Sequence, residues 1–402
     1  MPGPTRILFF AESVTLAHLA RPLALAGGLD PAKYDITIAC DSRYQGILAQ
    51  QPFATAPLHS LPSAQFLKAL ARGSPVYGLN TLEGYVQEDL ALMDALRPDI
   101  VVGDFRLSLS VSARLARIPY ATITNAYWSP YSTPSYPVPV LPFVRWTGAR
   151  LGTALFRLAR PLAFALHSGP LNALRRHHGL SSLGWDLRRV YTDADLVLYA
   201  DVPELIPTRA LPSNHHYLGP ILWAPTPPLP RWWDSLSASY PIVYLTLGSS
   251  GANEMLPEII RAWGNHPLTL MVASAGHPPP AHLPPNVHWA DYLPGIQAAE
   301  RADLVICNGG SPTSHQALAA GVPVLGIASN LDQFLNMQAI AAAGAGILMR
   351  QDTFKAGAFM ANVQALLEQP GYRTAAGQAA GWFKEYSAAL LFPKLMQDIA
   401  SA

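Results

Sequence analysis

Short, largely apolar runs recur along this chain, alternating with segments of helical periodicity. Residues 7–10, 34–40, 99–105, 120–124, 195–199 and 216–218 read as strands. The unbroken apolar run at 7–10 indicates burial on both faces. Helical patterns occupy 18–29, 79–96 and 108–117 between them. The alternation restarts with strands expected at 242–247, 269–273, 286–290, 303–307, 322–327 and 346–349, and helices at 254–263, 314–320 and 333–343. Two further helical segments, 354–367 and 371–395, close the chain. Strands that alternate with helices build open parallel α/β sheets. Between the two series, residues 220–230 hold five prolines and no charge, the composition of a linker. The expected architecture is α/β, with two Rossmann-like domains facing across a central cleft. Residues 1–220 form the N-terminal domain, 221–238 a proline-rich linker and 239–380 the C-terminal domain. Residues 381–402 form a helix returning toward the N-terminal domain.

Composition narrows what such a chain can do. Its 27 basic and 26 acidic residues give a formal net charge of +1, which argues against nucleic-acid binding through a global basic field. The two cysteines, Cys40 and Cys307, are too few for a disulfide framework or a cysteine-based zinc site. Histidine pairs at 177–178 and 215–216 have neither i, i+4 spacing nor a carboxylate cluster beside them, so no metal is expected. No stretch reaches the roughly 18 apolar residues of a spanning helix. The apolar run that begins at Ile7 ends before Glu12, too short for a signal-peptide core. A soluble cytoplasmic protein is the expectation. Residues 148–178 read as a helix that carries Arg150, Arg157, Arg160, Arg175 and Arg176. These arginines are taken as a solvated face, with anionic lipid headgroups as the alternative, and membrane contact is not predicted.

The densest chemistry lies at residues 303–336. A strand runs into Asn308, Gly309, Gly310 and Ser311, and Pro312 marks the first turn of a helix. Paired glycines let a backbone approach a ligand closely. The helix start offers unpaired N–H groups and a positive dipole end to phosphate. Further on, Asp332 and Gln333 follow the next strand at its carboxyl end, where ligands bind in open α/β sheets. The combined pattern Gly-Gly-x-x-Thr, Ala-Leu-x-x-Gly-Val-Pro and Asp-Gln-x-x-Asn resembles the nucleotide-sugar signature of the family 1, GT-B-type glycosyltransferases, in particular their bacterial small-molecule, macrolide-type subgroup. The resemblance implies a GT-B fold in which Gly309, Gly310 and Thr313 hold the pyrophosphate of a UDP- or dTDP-sugar. Asn308 stands where most relatives have a histidine that helps hold the diphosphate. Gln316 takes the place of a ribose-binding Glu, and Asp332 and Gln333 match the pair that binds the transferred sugar. The segment Asp291, Tyr292, Leu293, Pro294 resembles the family's aromatic-x-Pro segment, so that Tyr292, with Leu293 beside it, stacks on the base. Gly248 and Ser249 match a loop that approaches the phosphates.

A glycosyl acceptor must lose its hydroxyl proton as the new bond forms. A histidine oriented by a carboxylate suits that task. The string from His18 to Pro22 resembles the family's His-x-x-(x)-Pro segment, which implies that His18 is the base, and Asp104, at a strand end, matches its partner aspartate. Residues 12–17 stand where most relatives have a glycine-rich loop. Residues 125–142 are irregular and rich in proline, and Tyr127, Trp128 and Tyr131 are expected to line an acceptor pocket in the N-terminal domain. The resemblance thus implies an inverting, metal-independent hexosyltransferase. It would need no cofactor beyond its nucleotide-sugar co-substrate and would act on a hydroxyl of an apolar or aromatic small molecule or lipid. The alternatives are a nucleotide-sugar epimerase of similar fold and a non-catalytic nucleotide-sugar-binding homologue.

Overall fold

The structure is a computed structural model that describes residues 3–236, 239–248, 251, 253–264 and 266–400. It divides into two compact units: the chain up to Pro134 with Arg150–Ile221 and the residues from Tyr386 onward, and Ser135–Ala149 with Leu222–Glu385.

The first unit holds seven strands: β1 (Thr5–Ala11), β2 (Tyr34–Cys40), β3 (Ala54–Pro57), β4 (Ile100–Asp104), β5 (Tyr120–Thr124), β6 (Leu196–Tyr199) and β7 (His215–Tyr217). They lie in the order β3-β2-β1-β4-β5-β6-β7, each paired parallel to its neighbour. The order reverses between β1 and β4, where Ala11 is in register with Asp104. At such a switch point the connections leave in opposite directions and open a crevice at the carboxyl ends of the strands. Leu8, Phe10 and Val101 pack against Met93 and Leu109 on one face of this sheet. The short edge strand β3 and the helix Ser63–Arg72 were not anticipated from the sequence.

The second unit holds β8 (Ile242–Thr246), β9 (Thr269–Ala273), β10 (Val287–Ala290), β11 (Leu304–Cys307), β12 (Val324–Ala328) and β13 (Gly346–Arg350). Their order, β10-β9-β8-β11-β12-β13, is again parallel throughout and reverses between β8 and β11. Val243, Leu245, Leu270 and Ile306 pack with Ile259, Trp263 and Phe359 from the covering helices.

The division differs from the sequence-based one in two places. Ser135–Ala149 joins the second unit, because Val140 N–H donates to the Ser329 carbonyl and Arg350 Nη1 to the Val138 carbonyl, each at 2.7 Å. The segment expected as a linker is docked near its C-terminal end: Trp233 is buried beneath the Arg301 guanidinium, 5.1 Å from its ring centre, and Trp232 Nε1 donates to the Trp289 carbonyl at 3.1 Å. Residues 237 and 238 lie outside the described residues. The last helical stretch is two helices, Pro370–Glu385 and Ala388–Ala400. The second of these joins the first unit, where Phe392 meets Phe9 with ring centroids 6.0 Å apart and Tyr34 donates its hydroxyl proton to the Pro393 carbonyl. Among the described residues, no helix is long and apolar enough to cross a membrane.

Candidate active site

In the first unit the switch point assembles a base and its carboxylate. His18 sits in the first turn of the helix Ala17–Gly27, which follows β1, and Asp104 is the last residue of β4. His18 Nδ1 lies 2.8 Å from Asp104 Oδ1, with the carboxylate fully buried and the imidazole 16% exposed. A buried carboxylate can only accept, which assigns the proton to Nδ1 and leaves Nε2 with a lone pair. The imidazole stacks on Phe105 with centroids 4.8 Å apart and planes 13° from parallel. Phe105 holds φ at +60°, a region that large side chains rarely enter.

Arg21 was missed by the sequence reading. Its Nε and Nη2 donate to the two Asp104 oxygens at 2.7 Å each, and Nη1 donates to Asn125 Oδ1 at 3.0 Å. Asn125 Nδ2 in turn donates to the buried Asp201. This bidentate fork locks the carboxylate plane that orients His18. A signal existed: Arg21 is three residues beyond His18, on the same helix face.

The loop from Glu12 has its own anchorage in place of glycines. Buried Glu12 accepts from Arg106 Nη1 and from the Tyr85 hydroxyl, both at 3.0 Å. Arg106 also donates to Asp89 at 2.9 Å and Glu88 at 2.8 Å and lies 3.6 Å from the centre of the Tyr85 ring. Burial pushes the Glu12 carboxyl above its ordinary range against the opposing pull of Arg106.

An apolar pocket opens on the other side of Phe105, lined also by Tyr77, Leu82, Leu171, Leu187 and Tyr191. Of the aromatics expected to line an acceptor pocket, Trp128 meets Tyr191 edge-on at 5.1 Å. Tyr127 is buried in the core, and Tyr131 packs edge-on against His215 of β7 at 5.4 Å. Tyr77, Phe105, Leu171 and Tyr191 meet at this pocket from segments distant in sequence, which no local motif marks.

In the second unit the switch point brings Gly248 and Asn308 together at the ends of β8 and β11. A Cβ on Gly248 would stand 3.7 Å from Asn308 Nδ2. Ser249 lies outside the described residues. The loop after β11 is tightly held. Gly310 N–H donates to Asn308 Oδ1 at 3.0 Å, and Asn336 Nδ2 donates to the Gly309 carbonyl at 2.8 Å. Gly309 has φ +83°, and a Cβ there would fall 2.7 Å from Met337 Cγ. Cys307 Sγ accepts the Gly309 N–H at 3.3 Å, and burial pushes this thiol up to about 12. Gly310 is the N-cap of the helix Ser311–Ala319, whose first turn carries the positive end of the helix dipole. Thr313 lies in that turn, half-buried.

Asp332 and Gln333 open the helix Leu331–Ala342. Gln333 closes a capping box with Asn330, its Oε1 accepting from Ser329 N–H at 2.8 Å. Its Nε2 is buried and has no hydrogen-bond partner among the described residues. Gln316 donates Nε2 to the Trp223 carbonyl at 2.8 Å, while its Oε1 abuts Gly295. A carboxylate at this position could not make the first of these contacts. Tyr292 presents half of its surface to solvent, and Leu293 is buried. Among the described residues, no His, Cys, Asp and Glu cluster could hold a metal ion.

Two six- to seven-stranded parallel sheets, each with a glycine-bearing or base-bearing switch point, define the class. The solved spinosyn rhamnosyltransferase SpnG matches the chain with a TM-score of 0.71 at 20% identity, over 98% of this chain and 100% of that one, which gives the fold as GT-B. A family model described as the C-terminal domain of erythromycin biosynthesis protein CIII-like proteins matches residues 265–384. The "PGL/p-HBAD biosynthesis rhamnosyltransferase" of Mycobacterium bovis (strain BCG / Pasteur 1173P2) is 52% identical over 378 residues, 94% of this chain and 84% of that protein. The "PGL/p-HBAD biosynthesis glycosyltransferase" of Mycobacterium tuberculosis (strain ATCC 25177 / H37Ra) is 50% identical over 378 residues, 94% of this chain and 88% of that protein. The chain belongs to the macrolide-type GT-B glycosyltransferases, the family of these two mycobacterial proteins. Sugar transfer, rather than epimerisation, is the chemistry of that family.

Proposed function

We propose that the chain transfers a hexose from a dTDP- or UDP-sugar to a hydroxyl of an apolar or aromatic acceptor, by one inverting displacement and without a metal ion. The observation that carries this is the 2.8 Å pair of His18 and Asp104, its imidazole stacked on a wall of an apolar, aromatic pocket. The acceptor O–H gives its proton to His18 Nε2 as its oxygen bonds to the anomeric carbon. The bond from that carbon to the nucleoside diphosphate breaks, and its electron pair leaves with the diphosphate. Asp104 stabilises the imidazolium that forms, and Arg21 keeps the carboxylate aligned. Attack opposite the leaving group inverts the anomeric configuration.

The growing charge on the diphosphate needs donors already in place. The N–H groups at the start of the helix Ser311–Ala319 and the Thr313 hydroxyl supply them, Gly309 and Gly310 let the phosphates approach the backbone, and Gly248 and Asn308 stand beside them. The unpaired Gln333 Nε2 and Asp332 serve the sugar hydroxyls, Gln316 Oε1 the ribose and Tyr292 the base. SpnG, a rhamnosyltransferase by name, has been solved with thymidine diphosphate and with the spinosyn aglycone. Together with the rhamnosyltransferase name of the Mycobacterium bovis relative, this makes dTDP-rhamnose the first donor to test.

The test is to incubate the purified chain with dTDP-rhamnose or UDP-glucose and a panel of phenols and hydroxy-lipids in the presence of EDTA. A glycoside of inverted anomeric configuration by NMR is the expected product. Retention of configuration, or a requirement for added metal, overturns the mechanism. Tight nucleotide binding with no transfer to any acceptor favours a non-catalytic homologue.

A further inference from the structure

The helix from Arg150 to His177 is apolar where it faces solvent, the reverse of what a surface helix normally shows. Leu151, Leu155, Leu158, Leu162 and Leu166 are 55%, 45%, 83%, 66% and 59% exposed. Their spacing of three and four residues gathers them within an arc of about 80°, at 3.6 residues per turn. The opposite face carries Phe164, Leu171 and Leu174, which are buried. One apolar face therefore packs into the unit while a second meets water. At 100° per residue, exposed Arg150 and Arg157 project about 120–140° from the middle of the leucine stripe, and exposed Arg176 falls at its edge, beyond Leu166. From Val144 to His177 there is no acidic residue.

We propose that this face docks the chain onto an anionic lipid bilayer, with the leucines in the boundary between headgroups and acyl chains and the arginines on lipid phosphates. Charge selects the bilayer over a second copy of the chain. A symmetric contact would lay the face on itself. It would bring together two helices of like positive charge, with no carboxylate on either to neutralise them. A bilayer surface supplies the missing negative charge and an apolar layer to receive the leucines together. Docking there would bring the apolar pocket to acceptors that partition into lipid.

Flotation of the full chain with vesicles tests this. Vesicles of phosphatidylcholine alone are compared with an equal mixture of phosphatidylcholine and phosphatidylglycerol. The wild type should float with the mixed vesicles, less with the neutral ones, and should be released by high salt. Leu158→Glu/Leu162→Glu and Arg150→Glu/Arg157→Glu should each reduce binding roughly tenfold or more. Their melting temperatures should be unchanged, because these side chains are exposed. Leu158→Ser/Leu162→Ser provides the same reading if the acidic pair perturbs folding. Absence of wild-type binding to either vesicle, or binding indifferent to the leucine substitutions, overturns the proposal. A dimer in sedimentation velocity that the same leucine substitutions dissolve would give the face to a second copy and equally overturn it.

Discussion

At the scale of single residues, the site turns on where one proton and two negative charges go. Replacing His18 by Ala is expected to lower turnover by roughly 10²–10⁴, the usual contribution of a general base. Calorimetric affinity for dTDP or UDP should hardly change, because the phosphate-loop residues belong to the second unit. Undiminished turnover would remove His18 from the mechanism. In the proposed donor site Asn308 would present a neutral amide to the diphosphate, and its Oδ1 is already occupied by the Gly310 N–H. The burden of charge then falls on backbone donors and on Thr313. Thr313→Ala should weaken nucleotide binding by about 1–3 kcal/mol, the cost of a hydrogen bond lost from a charged group. Asn308→His should bind with an affinity that depends on pH around 6.5, the ordinary histidine value. Titrations showing Thr313→Ala with full affinity would move the phosphate site elsewhere.

At the scale of elements, the two strand-to-helix connections solve one problem with different chemistry. The loop after β1 is held by the buried ion network of Glu12, Arg106 and Asp89, so it needs no glycine. The loop after β11 is held by close backbone approach, so it does. Gly309 sits at φ +83° with no room for a Cβ beside the buried Met337. Gly309→Ala therefore adds left-handed strain to overpacking and should cost about 2–4 kcal/mol of stability. Urea unfolding with and without dTDP measures it. An unshifted midpoint would mean that the loop relaxes past Met337 at no cost.

At the scale of the molecule, β7 carries a histidine whose titration reports on folding. Burial, with a smaller contribution from His216, lowers His215 from the ordinary 6.5 to about 4, and its Nδ1 lies 2.7 Å from the Tyr199 hydroxyl. The unfolded chain takes up this proton first as pH falls. The stability owed to neutral His215 is therefore complete above pH 6.5 and is lost as pH drops toward 4. Thermal melts across that window should fall less steeply for His215→Asn than for the wild type. Parallel profiles would exclude His215 as a source of the acid sensitivity.

The sequence by itself determined what is local. The central strands were legible because a strand buried on both faces is largely apolar, whereas the exposed edge strand β3 was not. The course of the loop proposed to hold phosphate was legible because Asn308, the two glycines, Thr313 and the Asp332–Gln333 pair fall within one strand-helix-strand-helix passage, where spacing is geometry. The tertiary structure decided what depends on strand order and register. Arg21 and Asp104, 83 residues apart, meet only because β4 lies beside β1. Glu12 and Arg106, 94 apart, close their network for the same reason. The turn at Phe105 that lays its ring against His18 has no mark in the sequence. Nor did periodicity reveal which side of the helix from Arg150 to His177 faces water. That helix is apolar on two sides, and only packing chooses the one that is buried.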